Sequence, residues 1–164
     1  MIEIRQSTTH PGCMVLRTQQ HFAGSPESIF DFFADAANLE AITPPWLQFR
    51  ILTPLPIVMS SGTLIDYQLR LHWIPIRWQT EIAEWEPPHQ FVDQQLRGPY
   101  RLWRHTHTFE PTPAGTLMTD TVEYSVLGGR LINRWFVEPD LNKIFEYRQL
   151  SLAKRLAPST PATA

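Results

Sequence analysis

The chain has almost no cysteine. Cys13 is the only one among 164 residues, so no intrachain disulfide can form and no zinc site can be built from several thiolates. Low cysteine usage is usual for proteins of reducing compartments. We therefore expect the protein to act in the cytoplasm.

An excess of charge and long apolar runs are also missing. The chain has 14 Lys and Arg against 16 Asp and Glu, a formal net charge of -2. With no basic run either, nothing attracts a phosphate backbone, and we expect no nucleic-acid partner. No stretch approaches the ~20 apolar residues of a membrane helix, and the N-terminus lacks the apolar core of a signal peptide. These absences predict a soluble, unexported protein that does not insert into membranes.

The apolar residues that are present suffice for one core. Hydrophobic residues make up 43% of the chain, enough for a single domain of this length. Residues 1–13 are polar without a clear period, and residues 157–164 are small and Pro-rich. We expect both ends to be disordered and one domain to span residues 14–156.

The periodicity of the chain changes from helix to strand and back. After a strand at 14–22, Ser25 and Pro26 have the residue types of a helix N-cap and first turn. A second short helix should end before Pro44. Six strands separated by short turn-forming segments follow, which predicts antiparallel neighbours; they are expected at 46–52, 63–73, 76–86, 90–97, 101–110 and 116–127. A helical period returns from Leu131 to Leu156, with a break near Pro139.

This order predicts an α+β fold, in which a curved antiparallel sheet wraps around a long C-terminal helix and two short helices follow the first strand. Segments such as "SPESIFDFFADAANLEAITPPWLQFRI", "GPYRLWRHTHTFEP", "GTLMTDTVEYSV" and "IFEYRQ" carry a resemblance to a known superfamily. The chain resembles the helix-grip proteins of the START, polyketide-cyclase and birch-pollen-allergen superfamily (SRPBCC), in particular a bacterial ligand-binding subgroup, over residues 14–155. The resemblance implies a deep cavity between sheet and helix. It also implies a small hydrophobic or amphipathic ligand, since members bind lipids, sterols and polyketides or act as cyclases.

Strand alternation predicts which side chains line such a cavity. In "RLWRHTHTF" the residues Trp103, His105, His107 and Phe109 share one face, and a face that carries Trp and Phe is expected to point inward. The same alternation applies to the neighbouring strands. The resulting candidate ligand-binding residues are Tyr67, Leu69, Trp78, Thr80, Phe91, Asp93, Gln95, Trp103, His105, His107, Asp120 and Tyr124.

The two histidines gain partners if the hairpins are tight. A hairpin at "PTPAG" that pairs Phe109 with Met118 places His107 opposite Asp120. A tight turn at "RGPY" likewise brings Asp93 near His105. We therefore expect a polar cluster of two histidines and two aspartates inside an apolar interior.

Four interpretations of this cluster remain open. It can be a structural network of satisfied polar groups, a polar anchor for a ligand, a metal site or a pair for acid–base catalysis. A His-x-His pair on a sheet has no distinctive spacing to a third ligand, so we expect no metal and no cofactor.

The function that the sequence favours is ligand binding in the cavity. The alternative is an enzyme of the cyclase or dehydratase kind that uses His105, His107 and an aspartate. A protein-interaction module whose interior is filled by its own side chains is a third possibility. Monomer and homodimer both stay open.

Overall fold

The computed structural model describes residues 1–157; apart from Ala157, the predicted disordered tail lies outside these residues. Within them the chain forms eight strands, β1 Ile2–Gln6, β2 Met14–Phe22, β3 Arg50–Ile51, β4 Leu64–Leu71, β5 Ile74–Glu86, β6 Gln90–Arg97, β7 Leu102–Thr112 and β8 Gly115–Ser125. Its α-helices are α1 Pro26–Ala34, α2 Ala37–Ala41, α3 Gly129–Ile132 and α4 Glu138–Arg155, with a 3-10 turn at Pro45–Leu47 and a π-turn at Asn133–Val137.

All eight strands form one curved antiparallel sheet in the order β1-β2-β8-β7-β6-β5-β4-β3. From β4 to β8 each strand pairs with the next along the chain, as expected for short hairpin connections. Two short helices follow β2, and the long helix α4 is the last element of the described residues. The predicted α+β helix-grip fold is confirmed.

Two groups of buried apolar side chains hold the helices on the sheet. One joins α1 to the strands through Phe30, Phe33 and Phe109. The other joins α4 to β2 and β8 through Phe145 and Tyr124. Each α4 residue that faces the sheet lies three or four positions from the next, at the spacing of one helical face; these residues are Leu141, Phe145, Arg148 and Leu152.

The predicted disorder of the N-terminus is wrong for residues 2–6. These residues form the edge strand β1, paired with β2 from Ile2 opposite Thr18 to Gln6 opposite Met14. Ile2 and Ile4 pack against the apolar group under α4. Two apolar residues two positions apart are too few for a period to be visible in sequence.

The strand predicted at 46–52 is also shorter than expected. Only Arg50–Ile51 is extended, because Pro45–Leu47 forms a 3-10 turn and Gln48 adopts a left-handed conformation with φ 44°. The predicted helix from Leu131 to Leu156 is observed as α3, the π-turn and α4, and its regular α-helical hydrogen bonding is interrupted just before Pro139, in agreement with the expected break. Proline favours such an interruption because it has no N–H and its ring clashes with the preceding turn.

The β7–β8 hairpin has the register expected from sequence. Phe109 pairs with Met118, and His107 with Asp120. In the neighbouring hairpin, Asp93 of β6 pairs with His105. This register brings the four polar side chains to one region of the inner face.

Candidate functional site

A cavity of about 210 Å³ lies between the sheet and α4. Nine of the residues expected to line it do so, namely Tyr67, Leu69, Trp78, Thr80, Phe91, Asp93, Trp103, His105 and His107. Most of the wall is apolar, and Asp93, His105, His107 and Arg148 form a polar end. This composition is usual for small-molecule sites.

Three expected lining residues lie elsewhere. The Gln95 side chain binds the backbone of Tyr100 through an acceptor at 3.2 Å and a donor at 2.7 Å, and so braces the β6–β7 turn. Tyr124 is completely buried in the apolar group under α4. Asp120 is buried behind the histidines. Alternation predicts the face of a side chain but not whether α4 covers it.

Several lining residues were missed by sequence reasoning. They come from the helical segments after β2 and from α4, and they include Phe33, Leu39, Ile42, Leu47, Phe49, Ile144 and Arg148. The apolar stripes of these helices predict burial. They carry no signal that separates a cavity wall from a packed core.

The hydrogen bonds of the polar end run along the diagonals of the sheet. His107 Nε2 lies 3.0 Å from Asp93 Oδ2, and His105 Nε2 lies 3.2 Å from Asp120 Oδ1. Each histidine therefore bonds the aspartate that is displaced by two residues from its opposite position. Diagonal neighbours are within reach of long side chains.

The directly opposed pairs are in contact without a hydrogen bond. His107 Nδ1 lies 2.7 Å from Asp120 Oδ1 at an angle outside hydrogen-bond geometry. His105 Nδ1 lies 3.5 Å from Asp93 Oδ2. The two imidazole rings lie 3.8 Å apart between centroids, and Phe91 stacks on His107 at 4.1 Å. The cluster is compact, with each histidine between the two carboxylates.

Arg148 of α4 completes the cluster from the helix side. Its Nε donates to Asp120 Oδ2 over 3.2 Å. Both side chains are buried, and Arg148 also lines the cavity. A pairing of Arg148 with a carboxylate agrees with its place on the sheet-facing side of α4.

Both carboxylates of the cluster are held in their charged form. Burial alone would raise the pKa of Asp120, but Arg148 and then His107 outweigh it and hold this pKa well below its usual value. Burial would also raise the pKa of Asp93, and here His105 and His107 lower it. Both aspartates are therefore hydrogen-bond acceptors, and the facing Nε2 atoms of the histidines are donors.

The pKa values of the two histidines are shifted in opposite directions. Burial and the neighbouring His107 lower the pKa of His105. Burial opposes protonation of His107 too, but Asp120 and then Asp93 raise its pKa. Neutral His105 that donates from Nε2 carries a lone pair on Nδ1, and this side chain lines the cavity.

Three side chains at the cavity surface can also reach a common metal ion. Asp93, His105 and His107 each offer one ligand atom, and these atoms lie within 4.8 Å of one another.

Among residues 1–157, no helix is long and apolar enough to span a bilayer.

An antiparallel sheet that grips one long helix over a mostly apolar cavity defines the helix-grip class of proteins. The sequence comparison agrees with this class. A family model described as polyketide cyclase/dehydrase and lipid transport matches residues 23–152, and the chain belongs to that family. No curated protein matches the chain significantly.

Solved structures share the fold at low sequence identity. A protein from Rhodobacter sphaeroides is 20% identical with a TM-score of 0.66, and the match covers 98% of this chain and 99% of that one. A protein from Thermus thermophilus is 20% identical with a TM-score of 0.61, over 89% and 99% of the two chains. The ginseng major latex-like protein 151 from Panax ginseng is 10% identical with a TM-score of 0.66, also over 89% and 99%. These similarities establish the fold.

Proposed function

We propose that the protein binds a small hydrophobic or amphipathic molecule in the cavity between the sheet and α4. The observation that carries the proposal is an apolar cavity with a polar end, formed by Asp93, His105, His107 and Arg148. The family to which the chain belongs, with cyclases, dehydrases and lipid transport in its description, supports a ligand of this kind.

The polar end indicates that the ligand carries a polar group. Asp93, His105, His107 and Arg148 line one end of a mostly apolar wall, and buried polar side chains need hydrogen-bond partners. A ligand with a carbonyl or carboxylate at one end of an apolar body fits this arrangement better than a pure hydrocarbon.

The proposal is tested by thermal unfolding with fatty acids and aromatic ketones. Ligands that bind only the folded state raise its melting temperature. Leu69→Trp fills the cavity from β4 and is expected to abolish the shift. Leu64→Trp is the matched control, because Leu64 lies on the same strand and is 47% exposed. No shift in the native protein across the panel would contradict ligand binding and favour an interaction module.

A second candidate function is acid–base catalysis in the same cavity, of the kind a cyclase or dehydratase needs. The observation that favours it is the Nδ1 lone pair of His105, whose Nε2 is fixed by Asp120. Such an imidazole has the arrangement of a general base. Incubation with a poly-β-ketone thioester, followed by mass spectrometry, tests it. The expected product is cyclised or dehydrated, and His105→Gln should abolish its formation while binding persists.

The cytoplasmic location and the absence of a nucleic-acid partner stay predictions from composition. The choice between monomer and homodimer stays open. Native mass spectrometry of the freshly purified protein reads the oligomeric state and any retained ligand in one measurement.

A further inference from the structure

The strongest unassigned feature is the arrangement of ligand atoms around Asp93. Its Oδ2 lies 3.0 Å from His107 Nε2 and 3.5 Å from His105 Nδ1. Two ligands about 2.0–2.2 Å from one metal ion are themselves roughly 3.0–3.5 Å apart in octahedral or tetrahedral geometry. Two of the three pairs of atoms therefore already have the spacing of metal ligands, and all three ligand atoms lie within 4.8 Å of one another.

We propose that Asp93, His105 and His107 form a binding site for one divalent transition-metal ion at the polar end of the cavity. Two imidazoles and one carboxylate on one side of an ion are the ligand set of mononuclear Zn²⁺ and Fe²⁺ centres with open coordination positions. Ca²⁺ and Mg²⁺ prefer oxygen ligands and do not fit it.

The atoms behind these ligands match the usual support of a metal site. A metal-bound histidine commonly donates its other ring N–H to a carboxylate, which fixes the ring and raises its basicity. His105 Nε2 meets Asp120 Oδ1 at 3.2 Å in this way. Asp120 does not line the cavity and is held from behind by Arg148 at 3.2 Å. Asp120 is therefore a positioning residue for the ligand histidines.

The charge of the cluster suits a divalent cation. Arg148 is paired with Asp120, which leaves the charge of Asp93 for the ion. With both imidazoles neutral, one anionic group beyond Asp93 would balance a divalent ion fully. All three ligand residues line the cavity, so such a group can be the anionic end of a cavity ligand or a hydroxide left when a bound water loses a proton.

The sequence brings the three ligands together but does not identify them as a metal site. His105 and His107 are two positions apart on β7, and Asp93 lies opposite His105 on β6, so the three ligands have no spacing along the chain that is typical of a metal motif. This inference replaces the expectation of no metal that followed from the missing ligand spacing. It concerns the metal alone and does not depend on an organic ligand.

The experiment uses the full chain, without an affinity tag, stripped with EDTA and then titrated with CoCl₂. We expect visible d–d absorption that saturates at one ion per chain, and its loss when Zn²⁺, which binds such sites more tightly, is added. In the native protein, Zn²⁺ should shift the imidazole NMR signals of two of the six histidines.

Variants assign the site. His105→Gln and Asp93→Asn should abolish the Co²⁺ spectrum, and Asp120→Asn should weaken binding about 10- to 100-fold. His72→Gln is the control, because His72 also contacts a carboxylate, Asp140, but at the protein surface; it should bind like the native protein. Circular dichroism checks the fold of each variant.

Two results would overturn the inference. One is equal Co²⁺ binding by native protein, His105→Gln and Asp93→Asn, which would place the ion elsewhere. The other is an absence of any change in the imidazole NMR signals of the native protein when Zn²⁺ is added. This measurement does not depend on the folding of any variant.

Discussion

Arg148 and Asp120 form an ion pair in the interior that ties the C-terminal helix to the centre of the sheet. Arg148 Nε lies 3.2 Å from Asp120 Oδ2, and the two residues are 8% and 5% exposed. The other carboxylate oxygen faces the histidines. One aspartate therefore connects the position of α4 to the geometry of the cavity's polar end.

Removal of the arginine should be strongly destabilising. Arg148→Met leaves Asp120 charged and buried without its cation, and we expect a loss of about 3–5 kcal/mol in the free energy of unfolding. The double variant with Asp120→Asn should lose clearly less than the sum of the single variants. Urea unfolding with EDTA present measures both. Arg104→Met, at the partly exposed pair with Glu84, is the control and should cost at most about 1 kcal/mol.

The diagonal hydrogen bonds predict which pairs are energetically coupled. A double-mutant cycle of Asp93→Asn with His107→Gln should give a coupling of about 1–3 kcal/mol, because this pair shares a partly buried hydrogen bond at 3.0 Å. The cycle of Asp93→Asn with His105→Gln should give less, because that contact has no hydrogen bond. An Asp93–His105 coupling in metal-free protein that equals or exceeds the Asp93–His107 coupling would contradict a network formed mainly along the diagonals.

The hairpin that sets the register should be sensitive to a single methyl group. Gly115 at the start of β8 has φ 130°, and a Cβ there would collide with the carbonyl oxygen of Phe22. Gly115→Ala should therefore cost more than Gly62→Ala. Gly62 has φ 85° and open space around it, so its substitution reports backbone strain alone, about 1 kcal/mol. Thermal unfolding compares the two, and similar losses would contradict the expected collision.

Three tyrosines should resist ionisation until the protein unfolds. Burial raises the pKa of all three, which are Tyr67, Tyr100 and Tyr124. A neighbouring acidic group adds to the shift by electrostatic repulsion: Asp93 at Tyr67, Tyr124 at Tyr100 and Glu138 at Tyr124. A raised folded pKa means that the folded state binds these protons more tightly, so stability is lost as pH rises above the unfolded value of about 10. Tyrosinate absorbance and far-UV circular dichroism should change together in an alkaline titration. Ionisation of these tyrosines while the circular dichroism is unchanged would disprove this.

The sequence predicts the sheet well because its signals are local. Alternation identifies the inner face of β7, and the turn residues between β7 and β8 pair Phe109 with Met118 and therefore His107 with Asp120. These features depend on neighbours in the chain. The fold and the composition of the His–Asp cluster follow from them.

The features that sequence reasoning missed depend on contacts between distant segments. The diagonal choice of partners depends on side-chain rotamers in a crowded interior. The exclusion of Tyr124 from the cavity depends on where α4 packs, and the inclusion of Phe33 and Leu39 depends on how the short helices close over the sheet. No periodicity within one segment contains this information.

The cavity has two parts that come from different segments of the chain. Its polar end is formed by β6, β7 and α4, whereas Leu69, Leu71 and Ile76 of the β4–β5 hairpin supply apolar wall. Substitutions in that hairpin can change the size and shape of the accepted molecule without touching the histidines or their carboxylates. If the cavity binds a ligand as proposed, the shape of its wall and its polar end are therefore able to evolve separately on this scaffold, so homologues with an identical polar end need not share a ligand.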